Sequence, residues 1–141
     1  FMGDGDRLSL GGITIEAIET HGHTDSHVAF LVNGTELLTG DSLFIRGCGR
    51  TDFQSGDSGR MYDSVQRLFQ LPESTHVWPG HDYKGQTVST IGEEKRLNPR
   101  FVGRDREGFI AFMAGLNLPN PKKIMEAVPA NERCGRAAAL N

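Results

Sequence analysis

The sequence predicts a layered α/β fold of the α+β kind. Three observations predict it: strand-like alternation fills the first forty residues, helical periodicities fill the chain beyond Ser58, and a β-α-β step spans 36–78. Residues 1–12 are rich in Gly and Asp and end in Gly11-Gly12, which reads as a loop or a hairpin turn between short strands. Ile13-Thr14-Ile15-Glu16-Ala17 alternates apolar and polar, as a half-buried strand does. Val28–Val32 reads as a buried strand, Asn33-Gly34 as a hairpin turn, and Glu36–Thr39 as the returning strand. Residues 42–58 look like loop. Met61, Val65, Leu68 and Phe69 recur at helical spacing, with Asp57 or Ser58 as the cap. Thr75–Trp78 is a short strand stopped by Pro79-Gly80. Thr90-Ile91-Gly92-Glu93 fits a capping box, so a helix is expected over 90–98, ended by Asn98-Pro99. Phe109, Ile110, Phe112, Met113 and Leu116 mark another helix, and Pro121 suits the first turn of a last one through Val128.

Composition narrows the function. The 141 residues are one domain's worth of chain or less. A net charge of −3 argues against a nucleic-acid partner, which calls for a basic excess. No apolar run is long enough to span a membrane. Two cysteines, Cys48 and Cys134, do not make a disulfide scaffold, so reduced thiols are expected. No targeting segment is visible, and the cytoplasm or the mitochondrial matrix would both suit such thiols.

Three places carry ligand-type side chains: His21-Gly22-His23-Thr24-Asp25-Ser26-His27, Gly40-Asp41, and Pro79-Gly80-His81-Asp82-Tyr83. Each follows a strand, where layered folds place their chemistry. Imidazole and carboxylate groups converging from separate segments suit a first-row metal. Two His and one carboxylate suit Fe(II) and O2, and more His with a bridging Asp suits dinuclear Zn. Taken singly, a His after a strand reads as a surface side chain, and Gly-Asp as a turn. His76 lies within a strand and reads as structural or surface.

Thr20-His21-Gly22-His23-Thr24, Thr39-Gly40-Asp41 and Pro79-Gly80-His81 resemble the C-terminal half of the metallo-β-lactamase fold. Within it, Ile45-Arg46-Gly47-Cys48-Gly49-Arg50-Thr51-Asp52-Phe53-Gln54 resembles the persulfide dioxygenase family. So do His81-Asp82-Tyr83, Leu97-Asn98-Pro99-Arg100, Asn117-Leu118-Pro119, and Val128-Pro129-Ala130-Asn131 with Cys134-Gly135. The resemblance covers 1–135 and leaves 136–141 as a tail. It implies half of an αββα sandwich, a mixed sheet with helices on one face. It also implies oxidation of glutathione persulfide by O2 to sulfite and glutathione at one Fe(II).

By the same resemblance His23 and Asp41 are iron ligands, and His81 is an auxiliary or second-site ligand. Tyr83 faces the thiol substrate as a catalytic-site residue. Arg50, Lys84, Lys122 and Lys123 are substrate anchors. Arg50 is equally readable as an ion pair with Asp52. His27 matches a motif position that is not a ligand. The His-x-His-x-Asp-His motif of the family's N-terminal half is absent. The chain is therefore expected to expose a sheet face and to pair with an N-terminal half or form a homodimer. Two other readings stand beside the dioxygenase: a Zn or dinuclear hydrolase of the glyoxalase II type, and an inactive half-domain that binds a partner chain.

Overall fold

The computed structural model describes residues 2–53 and 55–133. Gln54, Cys134-Gly135 and the tail over 136–141 lie outside the described residues. Six strands, β1 (Arg7–Leu10), β2 (Ile13–Glu19), β3 (Val28–Val32), β4 (Glu36–Gly40), β5 (His76–Pro79) and β6 (Ser89–Thr90), form one sheet in sequential order. All neighbours run antiparallel except β4 and β5, which are parallel. The helix α1 (Ser58–Leu68) makes the crossover between them. Three helices follow β6: α2 (Ile91–Leu97), α3 (Arg106–Ala114) and α4 (Ile124–Glu132).

Local chemistry explains the boundaries. Asn33 and Gly34 take φ of 51° and 73°, which an Asn-Gly primed turn requires, and the Thr35 N–H closes the turn on Val32 O at 3.1 Å. The carboxylate of Asp57 caps α1 by accepting from the Arg60 N–H at 2.8 Å. Thr90 caps α2, accepting from the Glu93 N–H at 3.2 Å. The reciprocal half of the expected capping box is diverted, because the Glu93 carboxylate takes the Ser89 hydroxyl at 2.7 Å. The last helix starts at Ile124, later than Pro121, and carries Pro129 inside it. β6 is a two-residue strand that no periodicity could signal.

The two faces of the sheet differ. On one, Ile18, Ala29, Leu31, Leu37 and Val77 pack against Met61, Val65 and Leu68 of α1, Ile91 of α2, and Phe109 and Met113 of α3. Phe101 stacks on Phe109 at 4.8 Å between ring centres. Each of these buried side chains larger than alanine contributes about 1.5–3 kcal/mol. The register puts the opposite parity on the other face: Leu8 opposite Ile15, Leu10 opposite Ile13, and Phe30, Leu38 and Trp78 in one row. There Leu10 is 65% and Trp78 40% exposed, and Leu8, Ile13 and Leu38 are also open. The helices α1, α2 and α3 therefore cover one face, and the other is apolar and uncovered. Among the described residues no helix is long and apolar enough to cross a membrane.

Candidate metal centre and substrate pocket

β2 and β4 flank β3 antiparallel to it, and β5 is parallel to β4, so β2, β4 and β5 all end at one edge of the sheet. The chain leaves that edge into His21–His23, Asp41 and His81 respectively. The Gly80 N–H donates to Gly40 O at 2.8 Å, which sets the loops after β4 and β5 side by side. The result is Asp41 between two imidazoles: Oδ1 lies 3.2 Å from His81 Nε2, and Oδ2 lies 3.9 Å from His23 Nε2.

Hydrogen bonds fix which nitrogens face inward. His23 Nδ1 lies 2.7 Å from Arg50 O. A carbonyl only accepts, so Nδ1 carries the proton, and Nε2 is the nitrogen left on the Asp41 side to offer a lone pair to a metal. His27 is arranged the other way. Its Nε2 accepts from the Asp41 N–H at 3.0 Å, and its Nδ1–H donates to Thr20 Oγ1 at 2.8 Å. Both nitrogens are spent on the protein, so His27 supports Asp41 and does not face a ligand. Burial pushes its pKa down, which the Asp41 charge partly opposes and the charges of His23 and His21 reinforce. His21 turns away: its ring contacts the Arg60 guanidinium and lies 3.6 Å from Glu19. His76, on the uncovered face, pairs with Glu36 at 3.0 Å.

Imidazole nitrogen and carboxylate oxygen are the right donors for iron or zinc. His23, Asp41 and His81 are therefore the side chains of this chain that would hold such an ion. Among the described residues no three His, Cys, Asp or Glu side chains are already drawn together at metal-binding spacing. The donor set is right in kind and open in number.

Beside this centre lies a cavity of about 630 Å³. His23, Asp41, the run Phe44–Arg50, His81–Lys84, Arg100 and the Leu118–Pro121 stretch form its walls. The Phe44–Arg50 loop closes on Asp41 through the Gly49 N–H, which donates to Asp41 O at 3.0 Å. A Cβ at Gly49 would lie 2.2 Å from that oxygen, so only glycine fits there. The Tyr83 ring stacks on His81 at 5.6 Å and meets Phe44 edge-on at 6.0 Å, with its side chain largely open to the cavity and solvent. Asp82 holds this turn by accepting from the N–H groups of Thr87 and Lys84 at 2.9 and 3.1 Å. Those backbone donors hold its carboxyl below the usual range.

The cations of the cavity divide into two kinds. Arg50 forms a bidentate pair with Asp52, both bonds 2.7 Å, stacks over Phe53 at 4.0 Å, and donates to Pro119 O at 3.0 Å. Arg46 is matched by Glu94 and Glu93. Lys84 and Arg100 also line the cavity, and neither forms an ion pair among the described residues. Lys122 and Lys123 are exposed just before α4 and do not line the cavity. Arg100 is the lining cation to which the sequence assigns no role; the run Leu97-Asn98-Pro99-Arg100 carries family resemblance and the stop of α2, and neither marks its side chain as a ligand contact. Cys48 also lines the cavity, as a buried free thiol whose pKa burial pushes up to about 12.

Comparisons with known proteins place the fold in a family. Residues 1–81 match the family described as the Metallo-beta-lactamase superfamily. The mouse (Mus musculus) protein named "Persulfide dioxygenase ETHE1, mitochondrial" is 48% identical over 136 residues, covering 95% of this chain and 53% of that protein. The crystal structure of ETHE1 from Myxococcus xanthus superposes with a TM-score of 0.89 at 51% identity, over 96% of this chain and 60% of that one. The structure of TTHA1623 in a di-iron-bound form superposes with a TM-score of 0.60 at 34% identity, over 70% of this chain and 46% of that one. The chain spans about half the length of the curated relatives it matches. With a match over more than half its residues and a mixed sheet that delivers imidazole and carboxylate to one edge, the chain belongs to the metallo-beta-lactamase superfamily.

Proposed function

We propose that this chain supplies the substrate-binding half of an iron-dependent persulfide dioxygenase, which oxidises glutathione persulfide with O2 to sulfite and glutathione. The observation that carries the reading is the loop Phe44–Arg50. It joins the His23–Asp41–His81 centre to the cavity, and it is the stretch that resembles the dioxygenases most specifically. Its setting is supported by the 51% identity to the Myxococcus xanthus ETHE1 structure. The mitochondrial name of the mouse relative fits the matrix as a location.

Iron, when bound, supplies the redox chemistry that lets O2 react with a sulfur nucleophile. The rest falls to side chains. His23 and Asp41 are ligands, held by Arg50 O and by His27. His81 is the auxiliary ligand, with its Nε2 turned to Asp41. Tyr83, stacked on His81, offers a phenol at the mouth of the cavity for the thiol end of the tripeptide. The tripeptide's two carboxylates call for cations, and among the described lining residues Lys84 and Arg100 are the ones without an acidic partner. Arg50, already paired with Asp52, braces the wall against Pro119 and can reach a carboxylate at the cost of that pair. Lys122 and Lys123 could steer an anionic ligand only from outside. Three donors leave a ligand position open, and the uncovered apolar sheet face offers a surface for the chain segment that completes the centre.

Oxygen uptake and sulfite release are measured on anaerobically prepared protein carrying Fe(II), with glutathione persulfide as substrate and the complementary half of the fold supplied. Stoichiometric sulfite and oxygen consumption support the reading. Hydrolysis of an acylglutathione thioester by zinc-loaded protein, without oxygen uptake, replaces it by the glyoxalase II type.

A further inference from the structure

We infer that Glu94 is a positioning residue for the centre, acting as a buried clamp on the Phe44–Arg50 loop from beneath the cavity. Glu94 sits on α2, is wholly buried, and belongs to none of the ligand or substrate groups described above. Four donors converge on its carboxylate. The Arg46 N–H donates to Oε2 at 2.9 Å, and the Arg46 guanidinium donates to Oε1. Ser89 Oγ, whose one proton is shared with Glu93 Oε2, lies 2.7 Å from Oε1, and Asn98 Nδ2 donates to Oε2 at 2.8 Å. A carboxylate enclosed in this way is tolerated because its lone pairs are matched.

The clamp has two arms. Through Arg46, which stands at a φ of +59°, Glu94 holds the middle of the loop. Through Asn98, the residue that caps the C-terminus of α2, it holds the loop's carbonyls: Asn98 Nδ2 also reaches Gly47 O at 3.0 Å and Phe44 O at 3.3 Å. Asn98 Oδ1 in turn accepts from the Arg100 N–H at 3.0 Å, which sets the backbone of that cavity cation. At its far end the same loop carries Gly49, bonded to Asp41 O, and Arg50, whose carbonyl fixes the His23 tautomer. A short rigid loop thus transmits the position of one buried carboxylate to both candidate ligands. Non-glycine φ near +60° persists where the surroundings over-determine it, and the two Arg46 bonds to Glu94, one from its backbone and one from its side chain, serve that end.

The test needs no metal, substrate or turnover, so the clamp can fail while the proposed dioxygenase stands, and the reverse. Glu94→Gln keeps the shape and removes the charge. Three readouts are compared with the unaltered chain: amide exchange over 44–50, alkylation of Cys48 in that loop, and the ¹⁵N signature of the His23 ring. Glu94→Gln is expected to speed exchange and Cys48 alkylation about ten- to a hundredfold, the worth of one charge-assisted hydrogen bond. His23 is expected to change from the single Nδ1–H form to a mixture. Val65→Ala, a core truncation on α1 that removes none of the loop's hydrogen bonds, serves as the control: it should loosen the chain globally and leave the His23 signature intact. If Glu94→Gln does not fold, Asn98→Ala, which keeps the Glu94–Arg46 pair, is read in the same way. Loop exchange and a His23 signature unchanged in the folded variant, or changed equally by Val65→Ala, would overturn the inference.

Discussion

The Nδ1 proton of His23 is held by the carbonyl oxygen of Arg50 at 2.7 Å, so a residue 27 positions later in the chain sets which nitrogen faces Asp41. A neutral imidazole with a fixed Nε2 lone pair is what a metal requires. Asp41→Asn or His23→Gln is expected to lower Fe(II) or Zn(II) affinity by at least the about 10–100-fold that loss of a hydrogen bond to a metal-bound imidazole costs. Competition with a chromophoric chelator measures it. Because both side chains are half-exposed, unfolding midpoints of the metal-free variants should stay near that of the parent.

The cavity cations separate by partner. Arg100→Met and Lys84→Met should weaken binding of a glutathione analogue, each by about 1.5–3 kcal/mol if a charge-assisted bond is lost. Arg50→Met removes the Asp52 pair and the Pro119 tie as well. It should therefore lower thermal stability together with affinity. Isothermal titration and thermal melts of the same three variants distinguish the two patterns; equal affinity loss with no stability change for Arg50→Met would place Arg50 on the ligand.

Much of the fold is legible in adjacent residues. The strand ends, the Asn33-Gly34 turn and the Asp57 and Thr90 caps are local chemistry, and the fold class follows from their order. His23, Asp41 and His81 are legible as ligand types, and the sheet register then shows that β2, β4 and β5 end at one edge. Glu94, Asn98 and Arg100 are not legible in this way, since the meaning of the first two lies in contacts with a loop some fifty residues away. A Glu in a helix reads as a solvated charge until the fold buries it. For the same reason the division between Arg50, paired with Asp52, and Arg100, whose guanidinium meets Met113 Sδ and the Phe112 ring and no carboxylate among the described residues, needs the three-dimensional arrangement.

The thiol of Cys48 gives a pH dependence with a definite sign. Burial raises its pKa from the ordinary 9.0 to about 12 in the folded chain. The unfolded chain therefore releases this proton first as pH rises, and folding stability falls between pH 9 and about 12. Below pH 9 the full contribution is present. Cys48→Ala should flatten the alkaline limb of a urea-unfolding pH profile, and at pH 8 the native thiol should be alkylated far more slowly than the same residue in denaturant. Rapid native alkylation at pH 8 would show the thiol to be open.

The packing of α1 on α3 centres on Phe109, which is completely buried and stacks on Phe101. Phe109→Ala removes that stack and leaves a cavity beneath Tyr62. A loss of about 3–5 kcal/mol is expected by chemical denaturation. Leu118→Ala, at an exposed position on the cavity rim, should cost under about 0.5 kcal/mol.

The central claim is that His23 and Asp41 of this chain hold a catalytic iron for persulfide oxidation. Its most direct test is metal analysis of anaerobically purified protein, unaltered and Asp41→Asn, in the presence of the complementary half of the fold, with oxygen uptake on glutathione persulfide read from the same samples. The account predicts iron bound by the unaltered chain, lost with Asp41→Asn, and oxygen uptake that falls in step with it. Iron content and uptake indifferent to Asp41→Asn, or stoichiometric zinc with thioester hydrolysis in place of oxygen uptake, would contradict it.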